Sequence, residues 1–317
     1  MTERTLRPTD KIEILTLQDN YIDITAMDSN AVITRATPLQ DGEIRASVLA
    51  EHGFSALVKT TADGKTHTLL FDFGFSENGA AQNAATLGVD MTAVEAAALS
   101  HGHSDHTGGM EKLTAMIGKE NIPFAAHPSA FKSPRYLKFG EEFNLYFPKF
   151  TRERVQQARL SLIETDQPCL MLDDTILFLG EIPRQTNFEK GWPIVHYQKE
   201  GREEWDAIED DTSIVMNLKD KGLVILSGCA HAGIINTVYQ AMKVTGINKI
   251  HAVMGGFHLT GPFFEPIIGR TTQELQTINP TYIIPTHCTG RRAIMEIEKT
   301  MPEQFILNMV GTKLLFE

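Results

Sequence analysis

Four side chains that can bind metal ions lie within six consecutive residues of this sequence. They form the pattern His-x-His-x-Asp-His, at His101, His103, Asp105 and His106. Imidazole nitrogens and carboxylate oxygens are donors that zinc and iron prefer. His101 and His103 are two residues apart and can point to one side of an extended segment, and His106 can turn inward where a helix begins. Without a cation these groups would be costly to bury together, so the pattern predicts a metal site rather than solvated loop histidines.

Other candidate ligands lie far apart in the sequence but in similar positions. Asp72, His231, His258 and His287 each lie at or just after the end of an apolar run that reads as a strand. Loops that follow strands often converge into active sites. We therefore expect these side chains to meet the His-x-His-x-Asp-His segment.

The elements that must position these residues follow from apolar periodicity and turn signals. The predicted strands are 12–17, 54–60, 68–73, 93–99, 212–218, 222–226, 249–254, 282–285 and 313–316, and the predicted helices are 78–87, 234–244, 271–278 and 291–299. Strands first, followed by strands that alternate with helices, predict a layered α/β architecture.

The segment from about 121 to 200 has a weaker pattern, with many prolines and clustered aromatic residues. We interpret residues 1–317 as a single domain in which 121–200 is an insertion. Long irregular segments in compact domains are often functional, so the insertion is either a lid or a peripheral segment that only packs.

The order of the motifs resembles the metallo-β-lactamase superfamily over roughly residues 50 to 290. Asp72 matches its first motif, the His-x-His-x-Asp-His segment its second, His231 its third and His287 its fifth. The resemblance implies an αββα sandwich, with two mixed β-sheets flanked by helices. It also implies two divalent metal ions, with zinc expected and iron or manganese as alternatives.

The same resemblance implies a role for each matched residue. One cation would be held by His101, His103 and His231, and the other by Asp105, His106 and His287. Asp72 would orient ligands or bound water without touching the metal, which fits the need to fix histidine tautomers. The alternative is that Asp72 caps the helix that follows.

The sequence departs from the family at the fourth motif, which in most relatives is an aspartate that bridges the metals. The corresponding region reads Val253-Met-Gly-Gly-Phe-His-Leu, where His258 is the strong candidate ligand. Either His258 binds metal, or it is a pocket histidine that meets the substrate. A histidine in place of a carboxylate would leave the cluster more positive, with bound water more acidic or the second metal held more weakly. We take Asp105, as ligand and secondary proton acceptor, and His258 as the catalytic candidates.

Two of the three cysteines, Cys229 and Cys288, lie close in sequence to His231 and His287. Free cysteine is among the most buried residue types. We therefore interpret both as small packing residues rather than ligands.

A narrower resemblance is to one branch of the superfamily, commonly labelled dihydropterin-methyl-ribofuranosylaminobenzene phosphate synthase. It is carried by Glu51-His-Gly-Phe-Ser, Gly180-Glu-Ile-Pro-Arg, Ser227-Gly-Cys-Ala-His-Ala-Gly and Gly255-Gly-Phe-His-Leu. The label implies the joining of a pterin alcohol diphosphate to an aminobenzene ribose phosphate. Within these segments, His52, Glu181 and Arg184 are possible substrate contacts, although Glu181 and Arg184 could equally form a surface ion pair.

Composition limits the class of partner. The formal net charge of −11 argues against nucleic acid, because phosphate binding needs a basic surface. The chain has no long uncharged apolar stretch and no secretory signal at its first residues, so we expect no membrane span and a cytoplasmic location. A small-molecule substrate is expected, including an anionic one, and the oligomeric state stays open.

These observations favour a metal-dependent hydrolase that uses two cations to activate water on an ester, lactone, phosphodiester or diphosphate. The alternatives are a transferase of the synthase type and a di-iron oxidoreductase, since a histidine-rich site with a carboxylate also suits iron. A non-catalytic binding protein that retains the fold is the remaining reading.

Overall fold

The structure is a computed structural model that describes residues 5–37, 39–40, 42–44 and 47–317. The strands are β1 (Pro8–Thr9), β2 (Lys11–Gln18), β3 (Ile33–Thr34), β4 (Leu39–Gln40), β5 (Glu43–Ile44), β6 (Ser55–Ala62), β7 (Lys65–Phe71), β8 (Ala96–Ala98), β9 (Ile122–Ala126), β10 (Arg135–Phe139), β11 (Phe143–Tyr146), β12 (Leu160–Glu164), β13 (Cys169–Met171), β14 (Ile176–Phe178), β15 (Val195–Lys199), β16 (Arg202–Trp205), β17 (Ser213–Leu218), β18 (Gly222–Ser227), β19 (Ile250–Gly255), β20 (Tyr282–Pro285) and β21 (Lys313–Phe316).

The α-helices alternate with strands between β7 and β9 and again between β18 and β21. They are α1 (Gly79–Thr86), α2 (Ser104–Thr107), α3 (Met110–Ile117), α4 (Arg152–Gln157), α5 (Ile234–Thr245), α6 (Ile268–Ile278) and α7 (Arg291–Thr300). Each strand and helix predicted from the sequence has a counterpart here, so those predictions are confirmed.

Two large mixed sheets form the centre of the molecule. The first has the strand order β12-β9-β8-β7-β6-β2-β21-β3, with parallel pairing from β12 to β7 and antiparallel pairing from β7 to β3. The second has the order β13-β14-β17-β18-β19-β20, with β1 also paired to β17. Its strands β18, β19 and β20 run parallel, so their carboxyl ends lie at one edge.

Alternating apolar residues pack the two sheets face to face. In β2, for example, Ile12 and Ile14 are buried, whereas Lys11 and Glu13 are only half-buried. Successive residues of a strand point to opposite faces, so this alternation turns one face of the sheet towards the core. Ile12 and Ile14 share a core cluster with residues of the second sheet, such as Ile214 and Met254.

Helices cover the outer faces of both sheets. In α5, Ile234, Ile235, Val238 and Ala241 recur at helical spacing and pack on the second sheet. Helices α6 and α7 join the same cluster, while α1, α3 and α4 pack on the first sheet. The order helix, sheet, sheet, helix is the predicted αββα sandwich.

The segment 121–200 divides between the large sheets and a separate one. Strands β9, β12, β13 and β14 belong to the large sheets, whereas β10, β11, β15 and β16 form a four-stranded antiparallel sheet. A lid therefore remains a proposal for this small sheet and its connections, rather than for all of 121–200.

No helix within the described ranges combines the length and the apolar character needed to cross a membrane.

Candidate metal centre

The residues of the predicted metal site lie just after the ends of five strands. Asp72 follows β7, the His-x-His-x-Asp-His segment follows β8, His231 follows β18, His258 follows β19, and His287 follows β20. Within the second motif, His101 and His103 precede helix α2, and Asp105 and His106 lie in its first turn. The parallel strands bring these ends together between the two sheets, so residues nearly two hundred positions apart become neighbours.

The first predicted ligand set forms a compact group of buried imidazoles. The ring centroids of His101 and His103 are 4.5 Å apart, and that of His231 lies 4.8 Å from His101 and 4.9 Å from His103. All three side chains are almost completely buried.

The second predicted set lies beside the first. Asp105 Oδ2 is 3.4 Å from His106 Nε2 and 3.8 Å from His287 Nε2. The rings of His106 and His101 are 4.3 Å apart, which places the two sets in contact. One potential donor atom from each of His101, His103 and Asp105 also falls within 4.8 Å of the others, so Asp105 borders both sets.

Cys229 is buried as expected, but its sulfur faces the histidines. Cys229 Sγ lies 3.1 Å from His106 Nε2 and 3.2 Å from His287 Nε2. The sequence interpretation as a packing residue did not foresee this contact. Cys229 follows β18 by two residues, and that position after a strand end was the available signal.

His258 lies on the side of the first set. Its ring centroid is 4.2 Å from that of His231. Its potential donor atoms group with the sulfurs of Cys229 and Cys288, within 4.8 Å of one another. His258 therefore lies in the cluster, at a position compatible with both roles that the sequence left open, metal ligand and substrate contact.

The ring nitrogens fit a cation. His101 Nε2, His103 Nε2, both ring nitrogens of His231 and His258 Nδ1 are buried and have no hydrogen-bond partner among the described residues. An unpaired buried polar atom costs about 1–3 kcal/mol, and five in one place are unusual in a folded protein. Metal coordination would satisfy one nitrogen of each ring, with the donor type that zinc and iron favour.

The electrostatics of the first predicted set point the same way. Burial, with neighbouring histidines adding to it, holds the pKa of His101 and that of His231 well below the ordinary value. Burial, with Arg135 adding to it, lowers the pKa of His103 to about 3. These rings are therefore neutral and have a lone pair to donate. Burial alone would raise the pKa of Asp105, but His106 and His287 outweigh it and lower that pKa, which keeps the carboxylate charged.

Asp72 contacts the cluster through Ser100 and His106. Its carboxylate accepts from His106 Nδ1 at 2.6 Å, from the Ser100 backbone N–H at 2.7 Å and from Ser100 Oγ at 2.7 Å. Helix α1 begins only after Asn78. The carboxylate thus orients the ring of His106, and its contacts are not those of a helix cap.

Two adjacent carboxylates that the sequence reasoning missed hold the ligand loops in place. Asp210 accepts from the Gly102 N–H at 2.8 Å, and Asp211 accepts from the Ala232 N–H at 2.8 Å. Buried Arg135 donates to Asp210 and, at 2.6 Å, to Asp206. These residues have no motif spacing, and only the fold shows that they anchor the loops.

The three predicted substrate contacts have different surroundings. His52 is more than half exposed at the opening of the site, with Nε2 3.5 Å from Asp105 Oδ2. Arg184 Nη2 donates to the backbone oxygens of Ala207 at 2.6 Å and His231 at 3.1 Å, so it supports the His231 loop. Glu181 is exposed, and its charge acts on His127.

Two aromatic residues of the segment 121–200 lie over the first ligand set. Phe147 stacks on His103 with ring centroids 4.4 Å apart, and Trp192 stacks on His231 at 6.0 Å. Trp192 also contacts His258 at 4.9 Å. These rings exclude water from one side of the cluster.

Cavities lie on two sides of the cluster. One, of about 420 Å³, is lined by His287 together with Tyr21, Arg291 and Met295. The other, of about 490 Å³, is largely aromatic and includes Phe264, whose ring is 4.6 Å from that of His258. Both are large enough for part of a small-molecule substrate.

Comparison with known proteins identifies relatives over most of the chain. A profile of the metallo-β-lactamase superfamily matches residues 50–166. A 7,8-dihydropterin-6-methyl-4-(β-D-ribofuranosyl)-aminobenzene-5'-phosphate synthase of Methanocaldococcus jannaschii is 33% identical over 264 residues, which cover 81% of this chain and 87% of that protein. An uncharacterized protein of the same organism is 30% identical over 285 residues, covering 86% and 96%.

Among solved structures, a metal-dependent hydrolase of the β-lactamase superfamily superposes with a TM-score of 0.68 at 24% identity, covering 96% of this chain and 98% of that one. At this level of identity the superposition shows a shared fold. Together with the relatives above, it establishes that this chain belongs to the metallo-β-lactamase superfamily.

Proposed function

We propose that this chain is a hydrolase that requires two divalent metal ions and cleaves a small substrate at a phosphodiester or diphosphate group. The observation that carries the proposal is the convergence of the strand-end ligands with unpaired ring nitrogens facing one another. His101, His103 and His231 would hold one cation, and Asp105, His106 and His287 the other. When bound, such cations polarise the bond to be broken and activate water at neutral pH.

Two residues are suited to move a proton. Asp105 reaches both ligand sets, and its carboxylate stays charged because nearby histidines lower its pKa. His52 lies 3.5 Å away on the solvent side. Partial burial, with His287 nearby, lowers its pKa, so its ring is neutral and can accept a proton. A route from Asp105 through His52 to solvent follows from these positions.

The preference for a phosphorylated substrate rests on the cavity beside His287. Arg291 lines that cavity as the first residue of α7. A guanidinium group and a helix amino end both favour negative charge. Asp19 and Glu298 also line this cavity, so we expect an anionic group to bind at Arg291 rather than elsewhere in it.

A second candidate is a transferase of the synthase type. It is favoured by the synthase that is 33% identical over most of this chain. In such a reaction the same cations would bind the diphosphate of the donor, and an aminobenzene acceptor instead of water would displace that diphosphate as the leaving group. The cavities on two sides of the cluster leave room for two substrates.

The proposal predicts that protein purified without added metal contains two divalent cations per chain by elemental analysis. Replacing His103 with Ala or Asp105 with Asn should lower turnover of phosphodiester and diphosphate substrates by at least about 10³-fold, because each change removes a donor. His251→Gln is a matched control, since His251 lies at the start of β19, at the opposite end from His258.

Full turnover by metal-free protein would refute the proposal. Release of diphosphate only when an aminobenzene acceptor is present would favour the transferase over the hydrolase. Redox-active iron with an oxygen-dependent change in the visible spectrum would instead favour the oxidoreductase.

A further inference from the structure

The sulfur of Cys229 has a position that no other side chain of the cluster shares. Its Sγ falls within 4.8 Å of donor atoms in three groups: Asp105, His106 and His287; His101 and His231; and His258 and Cys288. The first two groups come from the two predicted ligand sets. Cys229 therefore lies on the boundary between the two proposed metal positions.

The distances at this boundary match donor atoms that share a cation. Metal–nitrogen bonds to histidine are about 2.0–2.1 Å and zinc–sulfur bonds about 2.3 Å, so two such donors on one ion lie roughly 3–4 Å apart. Cys229 Sγ is 3.1 Å from His106 Nε2 and 3.2 Å from His287 Nε2.

The orientation of the His106 ring fits such an ion. Its Nδ1 lies 2.6 Å from the Asp72 carboxylate, so Nε2 is the ring nitrogen that faces the sulfur. A cation at this place would be bound by Nε2 and Sγ together.

The backbone at Gly228 also allows the sulfur of Cys229 to lie in the cluster. A Cβ added at Gly228, the residue before Cys229, would lie 2.0 Å from Ser100 Oγ and 3.1 Å from Asp72 Oδ2. Glycine thus lets the loop after β18 pass directly against Ser100 and Asp72, which contact His106. The close approach holds Cys229 between the loops of both sheets.

We propose that the thiolate of Cys229 is a ligand shared by both metal ions, in a chain whose fourth-motif region, 253–259, has no aspartate. The inference rests on the proposed metal site and deepens it. On binding, the thiol would lose its proton to solvent, and two metal–sulfur bonds would form. His258 would then lie beside the first ion and meet the substrate, with Cys288 as a packing residue.

X-ray absorption spectroscopy at the zinc edge of the two-zinc protein tests this assignment. A shared thiolate gives an average of one sulfur neighbour per zinc, at about 2.3 Å, whereas a thiolate bound to one ion gives an average of half a neighbour. In Cys229→Ser the sulfur shell should disappear. Zinc affinity should fall by more than the roughly 10- to 100-fold that loss of a supporting contact causes.

Cys288→Ser is the matched control, because Cys288 is equally buried but is expected to leave the sulfur shell unchanged. An average of half a sulfur, no sulfur, or a shell that disappears in Cys288→Ser would overturn the inference while leaving the two-metal site intact. A protein that binds no zinc would instead refute the proposed function. If Cys229→Ser does not fold, the sulfur count of the unaltered protein decides alone.

Discussion

The two ring nitrogens of His106 face groups with different tasks. Nδ1 lies 2.6 Å from Asp72, and Nε2 faces Cys229 at 3.1 Å. A carboxylate on the far nitrogen fixes the tautomer and makes the ring a better donor. Asp72 can do this because its own backbone adopts a left-handed conformation, with φ +58°, that turns the carboxylate back towards Ser100.

Asp72→Asn should weaken metal binding while preserving the fold. Asparagine has the same shape and tolerates the left-handed backbone, but its amide lacks the charge that polarises His106. We expect metal affinity to fall by about 10- to 100-fold, measured by competition with a chromophoric chelator.

Asp63→Asn provides the comparison for this substitution. Asp63 also has a positive φ, at +49°, but lies in an exposed turn where it pairs with Arg7. Equal metal affinities for the two variants would contradict the role assigned to Asp72.

The histidines were easier to predict than the cysteine. His101, His103 and His106 identify themselves by spacing, whereas Cys229 is a residue type that is usually buried for packing alone. Only the positions of His106 and His287 show that the sulfur faces nitrogen on two sides. The sequence thus predicts which histidines meet but not what lies between them.

Among the strands, those whose ends carry the candidate ligands were predictable, and those of the small sheet were not. Strands β18, β19 and β20 have clear apolar runs, and their ends position His231, His258 and His287. The small sheet pairs β10 with β15, which lie about sixty residues apart in the sequence, through short strands. Such pairing depends on the tertiary fold, and so does the placement of Asp210 against Gly102.

Strand β19 contains a group that makes stability depend on pH. Burial lowers the pKa of His251 to about 4, and Lys221 and Lys249 add to this effect. In the unfolded chain histidine binds a proton near pH 6.5. The unfolded state is therefore protonated first, and stability from this group is lost as the pH falls from about 6.5 to 4, by on the order of 3 kcal/mol.

His251→Gln should remove this part of the pH dependence, although the lost packing against Tyr282 and Phe316 lowers stability at every pH. Urea unfolding of both proteins between pH 4 and 7 measures the difference. Parallel curves of unfolding free energy against pH would rule out His251 as the source.

In the molecule as a whole, the proposed ligands come from both sheets. The His-x-His-x-Asp-His segment follows a strand of the first sheet, and Cys229, His231 and His287 follow strands of the second. Cations bound there would join the two sheets. Since a ligand that binds only the folded state stabilises it, a metal concentration a thousandfold above Kd adds about 4 kcal/mol per ion.

Removal of the metals should accordingly lower the melting temperature by several degrees. Calorimetry before and after chelation, and after zinc is restored, measures the change. Equal melting temperatures with and without saturating zinc would mean that no zinc ion binds the folded state in preference to the unfolded chain.

The proposed metal site, with ligands from both sheets, also implies an order of events in folding. The donor atoms lie within coordinating distance only once the two sheets have packed on each other through residues such as Ile14 and Met254. Contacts made after the transition state slow unfolding and leave the folding rate almost unchanged. Zinc should therefore bind in the last step of folding. It should lower the unfolding rate, and so lengthen the lifetime of the native chain, without raising the folding rate.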